Sequence, residues 1–338
     1  MPDPRVTVVM PMRNARPWVA EALRSILDEP GCPPEALEVV VIDDGSTDGS
    51  ADAVAELSDA RIRVVPGPRR GISAAFNAGL AEARGGVLMR CDADDVYEPG
   101  RVGRQLASLE EDAELAAVCG PFVMIDRQGR ALSEVKPDLG TDPVDLTDEL
   151  LHGKTRTHLC TYAMRTELVR ELGGCRPFFE IAEDLDLQCR LASRGGVRFE
   201  PGSAYRYRLL DASITHQTAS GRRVWFTDCA KRFALQRLES GQDDLDRGEP
   251  PEPPESPADV VHGETPAGAA PRQSAAAHAA HLLCGRAWAE HRSGKRLAGL
   301  CTMTRACLAR PSHLGMWRGL VVMGLRSLAP GAGRAESS

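Results

Sequence analysis

Four short runs of nearly continuous apolar residues lie in the first hundred positions of this chain, and each leads into a stretch of helical character. They are Val6 to Met10 (ended by Pro11), Glu38-Val39-Val40-Val41-Ile42, Arg61 to Val65, and Val87 to Cys91. A run that is apolar at almost every position has no face to give to water, so each predicts a strand covered on both sides. Between them, Val19, Leu23, Ile26 and Leu27 fall at helical spacing after Pro17. Ser46 or Thr47 is placed to cap a helix reaching about Leu57. Ser73 to Ala83 reads as a helix stopped by Gly85-Gly86, and Pro99 suits the first turn of another. Strand and helix in alternation predict a parallel sheet with helices over both faces.

Such a sheet binds ligands at the carboxyl ends of its strands. The first strand ends in Pro11-Met12-Arg13-Asn14, the second in Asp43-Asp44-Gly45-Ser46-Thr47-Asp48, and the fourth in Asp92-Ala93-Asp94-Asp95. Carboxylates crowded at one sheet edge repel unless a cation or hydrogen-bond donors compensate. A hard divalent cation, Mg²⁺ or Mn²⁺, shared with phosphate oxygens suits this set. Either acidic stretch alone is compatible with a turn and helix cap. Two of them, about 50 residues apart and both at strand ends, make a strong site candidate.

The pattern then changes. Leu115 to Ile125 predicts two strand pieces, with a turn at Arg127-Gln128-Gly129-Arg130. His158 to Arg165 is a further strand, and Thr166 to Leu172 a helix ended by Gly173-Gly174. Glu183 to Ser193 is a stronger helix, closed by Gly195-Gly196. Short strands follow at Val197 to Glu200 and Ala204 to Arg208, then a helix at Phe226 to Leu238. Residues 241–273 are rich in Pro, Glu, Asp and Gly and nearly empty of large apolar side chains. Such a stretch buries too little surface to offset the entropy of ordering, which predicts a flexible linker. Ser274 to Ala309 fits two antiparallel helices. His313 to Leu328 fits a helix expected to pack on its own domain, with an interfacial membrane contact as the alternative. The expected organisation is one α/β domain over 1–240, with its halves at 1–115 and 116–240. The linker at 241–273, a helical region at 274–330 and a disordered tail at 331–338 follow.

Composition removes several function classes. With 41 Lys and Arg against 48 Asp and Glu, the net charge of −7 speaks against a nucleic-acid partner. Seven Phe, four Tyr and four Trp are too few for a long stacking groove. No apolar run is long enough to span a bilayer, and MPDPRVTVVMPMRNA lacks the basic start and apolar core of a secretion signal. The ten cysteines include no CxxC pair, so they are expected as buried thiols in a reducing, cytoplasmic compartment.

In order and spacing, four stretches resemble the family-2 glycosyltransferases of the GT-A fold. They are VTVVMPMRNARPWVAEALRSIL, EVVVIDDGSTDGS, RRGISAAFNAGLAEARGGVLMRCDADD and GGCRPFFEIAEDLDLQCRLASRG, and they cover about residues 5 to 210. The resemblance implies an α/β GT-A fold: a Rossmann-like nucleotide-diphospho-sugar transferase with a mainly parallel central sheet. The small C-terminal helical region lies outside it. It implies that Asp44, beside Asp43, binds the nucleotide base or ribose, with Pro11, Arg13 and Asn14 lining the same pocket. Many members carry an aromatic at the Arg13 position, where a guanidinium would stack instead. Arg70 and Gly71 would lie on the loop approaching the nucleotide. Asp92, Ala93 and Asp94 resemble the DxD motif, with Asp94 the direct metal ligand. Members often have Arg at the position of Phe76, whose presence either removes a charge from the pocket or packs the helix. Glu183-Asp184 resembles the ED motif, which makes Asp184 the general base, and Asp186 is expected on the helix surface or as a secondary contact. Tyr205, Arg206 and Arg208, with the LLDASITHQ that follows, resemble a segment closing over the diphosphate. His216 would approach the metal or the phosphate, with a solvated loop histidine as the alternative.

The implied activity is a metal-dependent, inverting, single-addition transfer of a sugar from a nucleotide diphosphate sugar to a hydroxyl. UDP and dTDP are the nucleotides expected first. The acceptor would be a saccharide, a lipid-linked saccharide or a small metabolite of cell-surface polysaccharide or glycoconjugate synthesis. The work would take place in the cytoplasm at the inner face of the plasma membrane, with peripheral membrane association. No Gln-x-x-Arg-Trp follows the ED pair, which points away from a processive synthase. A pyrophosphorylase would need a Gly-rich basic loop where PMRNARP stands, and a dinucleotide dehydrogenase would need G-x-G-x-x-G after the first strand. The remaining alternative is a catalytically inactive nucleotide-sugar-binding or scaffolding module of the same fold.

Overall fold

The computed structural model describes residues 3–135, 141–202, 205–210, 220–253 and 274–328. The chain divides into two units: Met1–Val123, Val135–Arg208 and Ala219–Pro266 form the first, and Met124–Glu134, Leu209–Thr218 and Ala267–Ser338 the second.

The first unit is built on an eight-stranded sheet. In chain order its strands are β1 (Val6–Met12), β2 (Leu37–Asp43), β3 (Ile62–Pro66), β4 (Val87–Arg90), β6 (Leu115–Cys119), β9 (Val144–Asp145), β10 (Ala163–Arg165) and β11 (Gly196–Phe199). In space they run β3-β2-β1-β4-β10-β6-β11-β9. The four runs read from the sequence are the four parallel strands at one side. β10 is antiparallel to both of its neighbours, so the sheet is mainly parallel rather than wholly so. The chain passes from β1 outward through β2 to β3, and then returns to the other side of β1 as β4. That reversal opens a crevice at the carboxyl ends of β1 and β4, where open sheets take their ligands. The β1–β2 register sets Met12 opposite Asp43 and so places both strand ends on one rim.

Helices α1 (Val19–Leu27), α2 (Ser50–Ala55), α3 (Ile72–Glu82) and α4 (Arg101–Glu111) follow the strands as expected. The cap of α2 differs from expectation. Gly49, at φ 84°, occupies the N-cap position, because Ser46 and Thr47 are engaged with Asn14 instead. α3 lies so close to the sheet that a Cβ on Gly79 would stand 2.3 Å from a Val9 methyl. Phe76 of α3 is wholly buried with Val9, Val40, Ile42 and Leu88, so it packs the helix. The expected strand over 158–165 is a 3-10 turn at Leu159–Thr161 followed by the short β10. Two pairings were not foreseen: β5 (Val96–Tyr97) takes β12 (Tyr205–Arg208) antiparallel, and β9 leads into α5 (Thr147–Leu151).

Helices α6 (Thr166–Glu171), α7 (Glu183–Ala192) and α8 (Ser220–Ser240) complete the unit. Phe178, Phe179, Trp225, Phe226 and Phe233 pack with Leu185 and Cys189 between α7 and α8. Much of a small aromatic complement is thus concentrated where it pins α7. Asp186 is not on the helix surface as expected: it is wholly buried under α8, paired to Arg176 and, at 2.8 Å, to Arg190. Residues 241–249, expected as the start of a flexible linker, are instead tied down. The buried carboxylate of Asp243 takes Arg176 at 2.7 Å and also Arg237, and its other oxygen accepts the Leu245 and Asp246 amides. Residues 254–273 of that linker, the tail beyond Leu328 and His216 lie outside the described residues. Eight of the ten cysteines are buried and none is in a disulfide.

The second unit takes in the end of β7 (Phe122–Ile125) and all but the last residue of β8 (Ala131–Val135), and three helices: α9 (Ala275–Arg292), α10 (Arg296–Ala309) and α11 (Leu314–Leu328). Ser274 caps α9 by accepting the Ala277 amide at 3.1 Å. α9 buries Ala279, Ala280 and Ala287 and α10 buries Gly299 and Ala306, and the two helices come so close that a Cβ on Gly299 would stand 2.8 Å from the Ala287 carbonyl oxygen. Among the described residues no helix is long and apolar enough to cross a membrane.

Candidate active site

At the end of β1, Pro11 is buried in the strand and Arg13 and Asn14 are exposed. Asn14 has φ 53°, a conformation that asparagine tolerates better than most residues. Its amide donates to Ser46 Oγ at 3.1 Å and its side-chain oxygen accepts the Thr47 amide at 2.9 Å. The loops after β1 and β2 are thereby tied into one wall. Asp43 closes its own turn by accepting the Ser46 amide at 2.8 Å. Asp44 is buried, and its carboxylate accepts the backbone amides of Arg69 at 2.5 Å and Gly71 at 3.1 Å. Each carboxylate oxygen keeps further acceptor capacity. Asp44 therefore holds the loop that leads into α3 and remains available to a donor hydroxyl. Arg69 and Arg70 stand exposed on that loop, so the rim of the crevice is cationic.

β4 ends in Arg90, and the acidic turn follows. The buried Arg90 guanidinium grips Asp92 with two bonds, 2.7 Å from Nε and 3.2 Å from Nη2. Its Nη1 lies 3.7 Å from Glu183 at the start of α7. One side chain therefore joins the turn after β4 to the acidic pair at the α7 N-terminus, although more than ninety positions separate them. The turn is braced from the other side. Tyr205 donates its hydroxyl to Asp95 at 2.7 Å, and the Arg208 amide donates to the same carboxylate, also at 2.7 Å. Arg208 Nε donates to the Asp94 carbonyl, and its Nη2 pairs with Glu21 at 2.8 Å. Arg208 is fully buried, which makes it a strut under the acidic turn. Arg206 is partly exposed and pairs with Glu98 at 2.9 Å.

The carboxylates have distinct electrostatic positions. Burial, with the charge of Asp92, pushes Asp94 up to about 6. Burial, with the charge of Asp184, pushes Glu183 up to about 7 against the pull of Arg90. Burial pushes Asp184 upward as well, but His158 and Arg90 outweigh it and hold that carboxyl below the ordinary aspartate value. His158 Nδ1 lies 3.8 Å from Asp184 Oδ2. The ring is held against Phe122 and stacked on Tyr207. Of the adjacent pair, Asp184 is the one kept ionised and partly open to solvent, as a proton acceptor needs to be.

Arg90 and His158 are neighbours of the acidic groups that the sequence alone did not single out, whereas Tyr205, expected in a segment closing over the diphosphate, instead braces the acidic turn through Asp95. Arg90 left a signal, a charged residue closing an apolar strand run. His158 left none that separates it from an ordinary loop histidine.

Among the described residues, no group of three or more His, Cys, Asp or Glu side chains forms a metal cage. The donor set still fits a hard cation. Asp94 is a desolvated carboxylate whose charged form is disfavoured as it stands, and Asp92 lies beside it already neutralised by Arg90. Mg²⁺ commonly takes one or two protein carboxylates and completes its shell from phosphate and water.

Comparison with known proteins places this geometry. Residues 7–172 match the family model described as Glycosyl transferase family 2. Similar proteins include the succinoglycan biosynthesis protein ExoO of Rhizobium meliloti, 30% identical over 236 residues and covering 63% of each chain. The probable glycosyltransferase YdaM of Bacillus subtilis is 26% identical over 66% of this chain and 53% of its own. An uncharacterized glycosyltransferase of Rickettsia felis is 26% identical over 58% of this chain, which spans 33% of that protein's length. Among solved structures, S. aureus TarS 1-349 in complex with UDP superposes with a TM-score of 0.51 at 20% identity, covering 70% of this chain and 72% of that one. The mainly parallel sheet with its acidic strand ends is the GT-A fold.

Proposed function

We infer the reaction from one premise: over residues 7–172 this chain belongs to the family 2 glycosyl transferases. The reading is transfer of a sugar from a nucleotide diphosphate sugar to an acceptor hydroxyl, with inversion at the anomeric carbon. The observation that carries it is the Arg90 bridge, which sets the acidic turn after β4 beside Glu183-Asp184 at the sheet's switch point. Donor and acceptor machinery then face one crevice.

Each group has a task that its surroundings support. Asp44 and Asn14 shape the nucleotide end, with Pro11 and Asp43 behind them. Arg13, Arg70 and Gly71 border the approach of the phosphates. Asp184, held ionised by His158 and Arg90, accepts the acceptor hydroxyl's proton as that oxygen attacks. A single displacement of this kind needs one base and inverts the centre, whereas double displacement needs a nucleophile on the opposite face. Mg²⁺ or Mn²⁺, held by Asp94 with Asp92 beside it, would supply positive charge at the departing nucleoside diphosphate. Arg208 and Tyr205 keep that turn in place. The named role of ExoO in succinoglycan biosynthesis supports a saccharide acceptor of polysaccharide synthesis. The UDP bound by TarS makes UDP-sugars the first donors to try.

A panel of nucleotide sugars, assayed for nucleoside diphosphate release with and without Mn²⁺, tests the reading. Turnover of at least one donor, abolished by chelation and restored by Mn²⁺, is the expected result. No turnover of any donor with Mn²⁺ present returns the chain to an inactive binding module. A second prediction concerns pH. His158→Ala removes a group that lowers the Asp184 pKa, so the base takes up its proton at higher pH. The acid limb of the kcat profile then moves upward in pH, while kcat on the plateau changes less. A limb that stays in place refutes the role of His158.

A further inference from the structure

The outward side of α11 inverts the usual pattern of a surface helix. Leu314, Trp317, Val321, Val322 and Leu325 recur at helical spacing along one side, and Leu314, Val321 and Leu325 are 70%, 62% and 64% exposed. The opposite side carries the buried Met316 and Met323. A contiguous apolar strip on an exposed face marks an interaction surface, unlike scattered single residues. The charge of the segment that carries this helix is of one sign. From Lys295 to Leu328 the basic residues are Lys295, Arg296, Arg305, Arg310, Arg318 and Arg326, and this span contains no Asp or Glu. Arg318 stands within the strip itself, exposed between Leu314 and Val322.

We propose that α11 lies flat in the interface of an anionic lipid bilayer, with the Leu314–Leu325 strip immersed and the basic residues at the phosphates. Charge decides the occupant. A second copy would bring two cationic surfaces together, whereas an anionic headgroup layer complements them, at about 1 kcal/mol per basic residue near the surface. Long arginine stems let an apolar side sink while the guanidinium stays at headgroup level. Trp317 suits the same boundary: its ring is partly exposed and its indole N–H is satisfied by the Pro311 carbonyl at 2.9 Å. At fifteen residues the helix is shorter than a spanning helix of about 20. Lying in the plane is the geometry left to it.

The test is flotation of the full chain with phosphatidylcholine vesicles, with and without phosphatidylglycerol, at low and high salt. The expected result is binding about tenfold or more tighter to the anionic vesicles, weakened by salt. The double variant Val321→Asp, Leu325→Asp is expected to lose about tenfold or more of that binding, with circular dichroism and melting unchanged, since both side chains are exposed. Brominated lipid should quench tryptophan fluorescence in the native chain, and Trp317→Phe should remove most of the quenching. Failure to bind either vesicle, or binding that the double variant leaves intact, overturns the proposal. So does a dimer in light scattering that the double variant makes monomeric, which assigns the strip to a second copy. Salt-sensitive binding to polyglutamate without vesicle binding overturns it in favour of an acidic protein.

Discussion

Replacing Asp184 with Asn is expected to lower turnover about 10²- to 10⁴-fold while donor binding stays near its native strength. The amide has the same shape and can still meet a hydroxyl, but it cannot accept the proton. Glu183 is adjacent and does not take over. Its pKa, near 7, leaves it partly protonated at neutral pH, and it is buried against Arg90. The split is the diagnostic: kcat falls, whereas calorimetric affinity for the nucleoside diphosphate does not, because Asp184 lies on the acceptor side. Unchanged turnover would place the base elsewhere and undo the mechanism.

Asp186→Ala is expected to destabilise the protein by about 3–5 kcal/mol, the usual result of removing one partner of a buried ion pair. Asp186 and Asp243 together answer Arg176, Arg190 and Arg237, all largely buried between α7, α8 and the turn after α8. Without Asp186 these cations keep one carboxylate, and Arg190 keeps only the Leu172 and Gly174 carbonyls. Urea unfolding measures the loss as a lower midpoint at constant slope. The exposed pair Arg194–Glu171 is the control: Glu171→Ala should change stability by about 0.5 kcal/mol or less. If the two variants unfold alike, the buried network is not what fixes α7.

The four parallel strands were legible because burial on both faces leaves a local signature, a run without polar positions. Asp44, Asp92 and Asp94 were legible as carboxylates gathered at strand ends because a strand end is itself a local event. What escaped depends on contacts between distant segments. Nothing near Asp186 in the sequence shows that α8 will cover it, so the third residue of an acidic helix start reads as solvated. The ordered turn at 241–249 was hidden in the same way. Its composition is that of a linker, and only the cations of Arg176 and Arg237 make Asp243 a buried anchor. α11 packs on its own unit as expected, but with only part of its apolar set. Its apolar residues predict packing, whereas the structure buries Met316 and Met323 and turns the larger set outward.

The Arg90 bridge also bears on the entropy of reaction. In the proposed transfer two molecules meet in this crevice, and freezing their relative motion is a large part of a bimolecular barrier, about 7–11 kcal/mol in well-oriented systems. One guanidinium gripping Asp92 and Glu183 fixes the span between the acidic turn after β4 and the α7 N-terminus, to which the proposed mechanism assigns donor and acceptor, before either substrate binds. The loss of freedom needed to set that span is taken once, when the chain folds, and is not repeated at each turnover.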